Sequence, residues 1–191
     1  MDGFILVDKP KGITSGECAR MAANTLNAGK AGHAGSLDGN ASGMLLVALG
    51  AARKSIGSFM RLRKEYRGTL RLHGDADREA ITAAFRKSTG RIVQTPPRKS
   101  RVARKPRERE VYSLEIIRMR GRDVEFAVSC EAGTYIRKLA SDIGAEIGCG
   151  GHLAELRRTR IGPFTEKDSV SLENLSGKYL ISAKEAINRL K

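Results

Sequence analysis

Apolar positions along this chain fall into short runs whose period changes from segment to segment. Phe4-Ile5-Leu6-Val7 is a continuous apolar run suited to a strand buried on both faces, and Asp8-Lys9-Pro10-Lys11-Gly12 ends it. Thr14 and Glu17 have capping-box spacing, and Cys18, Met21, Ala22 and Leu26 then recur on one helical face. Beyond a glycine-rich stretch, residues 44–49 predict a second buried strand, and Ala52, Ile56, Phe59 and Met60 predict a helix ending in Arg61-Leu62-Arg63-Lys64. From Tyr66 the pattern alternates, with Tyr66, Leu70 and Leu72 on one side and Arg67, Thr69 and Arg71 on the other, as in a half-buried strand.

Residues 77–85 read as a short helix, and residues 111–119 and 124–130 as two strands joined in a hairpin at Gly121-Arg122. Thr134 is placed to cap a helix whose apolar face is Ile136, Leu139, Ala140, Ile143 and Ile147, and Gly148 ends it. A basic strand over 153–161 carries Arg157, Arg158 and Arg160, and residues 165–191 read as a loop and a modest helix. Strands and helices interleave without the regular rhythm of a parallel sheet. The pattern therefore predicts an α/β chain of the α+β type, with a mixed, mostly antiparallel central sheet and helices packed on it.

Composition narrows the partner. The 191 residues carry 35 Lys plus Arg against 21 Asp plus Glu, a net charge of +14, which points to a polyanion and foremost to nucleic acid. No long apolar run suits a membrane, and the N-terminus lacks the regions of a signal peptide, so a cytoplasmic protein is expected. Cys18, Cys130 and Cys149 are widely spaced, as are His33, His73 and His152, so neither a disulfide framework nor a metal site is expected, and no cofactor. Residues 98–109 hold seven basic side chains and one acidic one around Pro106, a near-uniform sign that favours contact with RNA phosphates over a merely solvated surface.

Candidate chemistry centres on residues 32–43, almost all small, with a single carboxylate, Asp38, in their midst. Such a backbone turns tightly and lets another molecule approach. Ordinary turn chemistry is one reading of Asp38. A phosphate-cradling loop is a second, but the Gly-Lys-Ser/Thr ending of a P-loop is missing; Gly32-His33-Ala34-Gly35 also satisfies the Gly-x-x-Gly clamp of KH-type RNA binders.

Five motifs in order change that balance. Lys9-Pro10 with Gly12-x-Thr14-Ser15, then Gly32-His33-x-Gly35-Ser36-Leu37-Asp38, Lys64-Glu65-Tyr66, Gly133-Thr134-Tyr135-Ile136-Arg137 and Leu156-Arg157-Arg158-Thr159 together resemble the TruB/dyskerin family of pseudouridine synthases. The resemblance implies a catalytic domain over residues 1–164 and a short extension over 165–191 without the family's C-terminal RNA-binding PUA domain. It implies that uridine in RNA is isomerised to pseudouridine. Asp38 is then the carboxylate nucleophile, adding to the sugar or the base or initiating glycal formation. Arg137 pairs with Asp38, Tyr66 stacks on the extruded uracil, Ile136 and Leu156 wall the pocket, and His33 and Lys9 complete the substrate-binding set.

RNA contacts are expected of Lys64, Arg98, Lys99, Arg101, Arg104, Lys105, Arg157 and Arg158. Leu70-Arg71-Leu72-His73-Gly74 and Pro96-Pro97-Arg98-Lys99-Ser100 resemble the archaeal and eukaryotic dyskerin branch, which implies an H/ACA guide RNA and small ribonucleoprotein subunits as partners. A stand-alone tRNA pseudouridine synthase and an inactive RNA-binding or assembly module of the same fold are the alternatives. One departure stands at the centre: Gly39 occupies the position after Asp38 where the family usually has Pro.

Overall fold

A computed structural model describes residues 1–96 and 103–190; the RNA contacts expected of Arg98, Lys99 and Arg101 lie outside the described residues. From the N-terminus, β1 (Gly3–Lys9) leads to α1 (Ser15–Thr25), β2 (Ala31–Ala34) and β3 (Ser42–Leu49). A 3-10 helix (Gly50–Ser55) and the one-turn α2 (Gly57–Met60) precede β4 (Lys64–Leu72), α3 (Arg78–Lys87), β5 (Gly90–Gln94), β6 (Arg107–Arg120), β7 (Asp123–Cys130) and α4 (Ile136–Ile147). β8 (Gly151–Ile161), β9 (Phe164–Thr165), β10 (Val170–Ser171) and α5 (Ala183–Asn188) follow. The strands make a mixed, mostly antiparallel sheet, and the chain divides into two compact units, Met1–Lys64 with Arg157–Lys191, and Glu65–Leu156.

The first unit is built on β1 and β3, antiparallel from Gly3↔Leu49 to Lys9↔Gly43. Their continuous apolar runs follow from burial on both faces. Ile5, Val7, Leu45, Val47 and Leu49 point to one side and pack with Cys18, Ala19, Ala22, Ala23 and Leu26 of α1 and its end. The alternate residues Phe4, Leu6, Met44, Leu46 and Ala48 pack with Phe59, Ile161, Phe164 and Ala186 on the other. Each fully buried side chain of this size contributes about 1.5–3 kcal/mol relative to an exposed one.

Along its remaining edge β3 is shared. β2 pairs antiparallel with it from Ala31↔Leu49 to Ala34↔Leu46, and β8 pairs parallel at Ser42↔Arg157 and Gly43↔Arg158. The capping box forms as the spacing predicts: Glu17 N–H donates to Thr14 Oγ1 at 3.2 Å and Thr14 N–H to Glu17 Oε2 at 2.7 Å. C-terminal residues belong to this unit, with β10 parallel to β1 and a bridge between Phe4 and Ile181.

The second unit is a sheet in the order β8-β4-β7-β6-β5, with α3 and α4 packed together. β4 alternates as predicted, with Tyr66, Leu70 and Leu72 buried and Arg67 and Arg71 exposed. The hairpin of β6 and β7 turns at Gly121, whose φ of +53° suits a residue without a side chain. α4 ends at Gly148 in the left-handed conformation.

Several local expectations give way to tertiary context. Met21 and Met60 are about half exposed, at 47% and 51%, because small Ala19 and Ala23 take the interior positions of α1 and the predicted helix over 52–60 breaks into a 3-10 turn and α2. Thr134 caps no helix; its hydroxyl donates to Glu131 O at 2.8 Å, and α4 starts from Tyr135. β5 carries no clean alternation in sequence, yet pairs with β6 over its whole length, drawing Arg107 and Arg109 of the basic stretch into a strand. Gly32 and His33 lie in β2, so Gly32-His33-Ala34-Gly35 is mostly strand rather than a clamp loop, and the loop itself narrows to residues 35–41.

Gly43 sits where β1, β3 and β8 meet, with φ +102°, and a Cβ there would stand 2.3 Å from Arg158 O. Both the conformation and the approach exclude a side chain. Gly43→Ala is expected to lower stability by about 2 kcal/mol or more, a fall of at least about 5 °C in melting temperature by circular dichroism. An unchanged midpoint would contradict the close approach.

Candidate active site

The loop 35–41 leaves β2 where its pairing with β3 stops. Beyond Ala34↔Leu46 the two strands separate, and the Arg158 guanidinium bridges them, Nε donating to Met44 O at 2.7 Å and one terminal amino group to Gly35 O at 3.0 Å. Gly35 has φ +84°, and this turn takes the chain out of the sheet. Arg158 is buried, at 1% exposure. Its charge is satisfied by carbonyls, which is what an interior guanidinium needs.

Three further contacts hold the loop. Ser15 Oγ accepts from Leu37 N–H at 2.7 Å and donates to Leu37 O at 3.0 Å. Gly39 O accepts from Gly12 N–H at 2.8 Å and from Lys9 Nζ at 3.4 Å, while the same ammonium donates to Pro10 O at 2.7 Å and Ile13 O at 2.8 Å. Ala41 N–H closes the turn on Asp38 O at 3.0 Å. The N-terminal motif is therefore a backbone clamp for the loop. Between the anchored Leu37 and Gly39, Asp38 is exposed while Leu37 is buried, so the loop is fixed through its backbone on both sides of Asp38.

Burial lowers the Lys9 pKa, with Cys18 and Asp38 opposing that shift and Arg158 adding to it, and burial likewise pushes the Cys18 thiol up to about 11. Asp38 thus lies within electrostatic reach of a buried ammonium. His33, half-buried on β2, has its pKa lowered by burial first and by Arg158 second, which favours the neutral imidazole.

Residues expected at the site take two kinds of place. Lys9, expected to bind substrate, is fully buried and spends its donors on the loop. Arg158 and Lys64, expected to meet RNA, are interior cations at 1% and 4% exposure; Lys64 Nζ donates to Met60 O at 2.7 Å. Arg157 is half-exposed, but its guanidinium engages Asp8 at 2.9 Å through both terminal amino groups and Glu166 at 2.6 Å through Nε. In the second unit, Tyr66 lies on the buried side of β4, Ile136 is buried at the start of α4, Arg137 beside it is exposed, and Leu156 is half-buried in β8. Arg104 and Lys105 are exposed.

The sequence places Gly12 and Ser15 in the N-terminal motif without assigning either a role at the site, since Thr14 and Glu17 already account for the helix start. Among the described residues, no three His, Cys, Asp or Glu side chains gather as a metal site, and no helix is long and apolar enough to cross a membrane.

Comparison with known proteins agrees across sequence and structure. Residues 23–80 and 73–136 match the N-terminal domain of TruB family pseudouridylate synthases, and residues 137–190 match the C-terminal domain of tRNA pseudouridylate synthase B. The "Probable tRNA pseudouridine synthase B" of Methanosarcina barkeri is 46% identical over 94% of this chain and 53% of its own length, so the chain spans about half of that relative. A chain in the crystal structure of a Cbf5-Nop10-Gar1 complex superposes with a TM-score of 0.91 at 39% identity, over 98% of this chain and 62% of that one. A chain in an H/ACA RNP bound to a substrate RNA containing 2′-deoxyuridine superposes with a TM-score of 0.85 at 36% identity, over 98% and 61% respectively. The motifs of Lys9, Asp38, Tyr66, Arg137 and Arg158 thus sit in the fold these relatives share, and the chain belongs to the TruB family of pseudouridylate synthases.

Proposed function

We propose that this chain is the catalytic portion of an RNA pseudouridine synthase that acts in the cytoplasm and isomerises a uridine chosen by an H/ACA guide RNA. The observation that carries the reading is Asp38, an exposed carboxylate on a loop anchored through its backbone on both sides, in a chain of this family. The reaction breaks the N1–C1′ bond, turns the uracil and joins C5 to C1′; C5 loses its proton and N1 gains one, so atoms and electrons balance without a cofactor. Uracil must leave the stack to be reached.

Asp38 is the nucleophile in this scheme, its carboxylate kept in place by a loop that need not reorganise during the reaction. Arg137, exposed near the start of α4, belongs to the substrate-binding set in this reading. Tyr66 stacks on the flipped base, and Ile136 and Leu156 confine it. His33, whose burial favours the neutral form, supports the loop and the nucleotide backbone. The short extension over residues 165–191 serves the catalytic domain of 1–164 as packing, through β10 and the Phe4–Ile181 bridge.

Guide RNA and small protein subunits are proposed as partners because solved structures similar to this chain include a Cbf5-Nop10-Gar1 complex and an H/ACA RNP bound to a substrate RNA. The net charge of +14 supplies phosphate attraction; Arg104 and Lys105 are exposed, and Arg98, Lys99 and Arg101 belong to the same basic stretch of sequence. One specific observation favours a second reading: curated relatives carry the name of a tRNA enzyme. A guide-free tRNA pseudouridine synthase uses the same residues. Tritium release from C5-labelled uridine decides between them: the guided reading expects turnover only with guide RNA and its subunits. Rapid conversion of free tRNA by the chain alone would replace it with the tRNA reading.

Asp38→Asn is expected to reduce tritium release to background while RNA affinity stays within about threefold, because a nucleophile is removed and no phosphate contact is. Turnover near wild type in that variant would end the catalytic assignment and leave a binding module. RNA affinity should fall with salt at about −0.7 in log–log slope per phosphate contact on single strands. Arg104→Ala with Lys105→Ala should flatten that slope by about 1.4 if both touch phosphates, measured by fluorescence anisotropy.

A further inference from the structure

We propose that Ser15 is a positioning residue for Asp38, holding the catalytic carboxylate at its working place through the backbone of Leu37; this rests on the functional reading above. Ser15 is 3% exposed, and its hydroxyl both accepts from Leu37 N–H at 2.7 Å and donates to Leu37 O at 3.0 Å. A hydroxyl is the small side-chain group that can donate and accept at one point, so it clamps both polar groups of a single residue. Neither Leu37 group then needs water, and the residue before Asp38 is fixed in orientation as well as position.

Ser15 is itself held. It begins α1 directly after Thr14, and the reciprocal bonds of Thr14 and Glu17 set the first turn of that helix. The α1 face below is packed through Cys18 and Ala22, both fully buried. A rigid helix end therefore reaches across 22 positions of sequence to the loop. On the far side of Asp38, Gly39 O is held independently by Gly12 N–H and Lys9. With Leu37 and Gly39 both tethered, the Asp38 backbone between them cannot translate. Loss of one tether frees it on one side while leaving the carboxylate, the pocket and the RNA-binding charges unchanged.

Such a role has a kinetic signature. A displacement of about 1 Å at a reacting group costs about a hundredfold in rate without weakening ground-state binding. Ser15→Ala is therefore expected to lower kcat by about ten- to a hundredfold, with KM and RNA affinity unchanged, in whichever of the free-tRNA or guided assays the wild-type chain turns over. The same variant should speed hydrogen exchange of the Leu37 amide by about tenfold or more relative to the core amides of β1 and β3, since that amide loses its acceptor, with a modest fall in melting temperature from the unpaired Leu37 groups. Ser15→Cys, close in size but a weak donor, is the second variant should alanine prevent folding, and is expected to move both readouts in the same direction.

A wild-type kcat in a folded Ser15 variant overturns the proposal, and so does unaltered Leu37 exchange. If wild-type chain turns over in neither assay, the functional reading fails and Leu37 exchange alone decides whether the clamp exists.

Discussion

An interior guanidinium has to find acceptors, and the burial of Arg158 is the constraint around which the first unit is arranged. Leaving such a charge unsatisfied away from water costs several kcal/mol, so its donors must be answered. They are answered by Met44 O and Gly35 O, carbonyls of two chains that would otherwise continue as a β-ladder. One side chain therefore ends the pairing of β2 with β3 and starts the loop that carries Asp38. For the same reason β8 must run close beside β3, which is possible because Gly43 presents no side chain to Arg158.

Lys9 repeats the logic from the opposite edge of β3. Its ammonium is buried at the end of β1 and donates to carbonyls of residues 10, 13 and 39, tying the exit of the strand to the loop. Hydrogen bonds to charged groups contribute about 1.5–3 kcal/mol each, more than neutral ones, and they are directional. A glycine-rich loop has many conformations to lose on folding. Here the loss is offset by cations and a serine hydroxyl that act on backbone atoms. A loop built this way can tolerate Gly39 without a proline's fixed φ, because Gly39 O is held from two directions.

The second unit solves a different problem. Tyr66, Ile136 and Leu156 lie on regular elements, β4, α4 and β8, whose positions are set by apolar packing such as the edge-to-face contact of Phe85 with Phe126 at 6.1 Å. Strands and helices hold side chains in place through packing, whereas a loop such as 35–41 is held as firmly only by hydrogen bonds to its backbone.

Much of this was legible in the sequence, because strands and helices are written in period and punctuation. The apolar runs of β1 and β3, the alternation of β4, the turn at Gly121 and the capping box of α1 follow from local chemistry. Asp38 was legible too, as a lone carboxylate among residues too small to cover it. The direction in which a cation points was not legible: Lys9, Lys64, Arg157 and Arg158 share their charge with surface residues such as Arg104, and local sequence does not say whether a phosphate, a carboxylate or a carbonyl will meet them. Burial decides that, and burial is a property of the packed chain. Ser15 was legible as a member of the N-terminal motif, but its contact was not, since a hydroxyl at a helix start looks like capping until Leu37, distant in sequence, is brought against it. Sequence alone determined most of the elements and the exposed place of Asp38; the tertiary structure decided β2, β5 and the break over 52–60, and which polar groups hold the loop, because long-range hydrogen bonds exist only once the strands have set the distances.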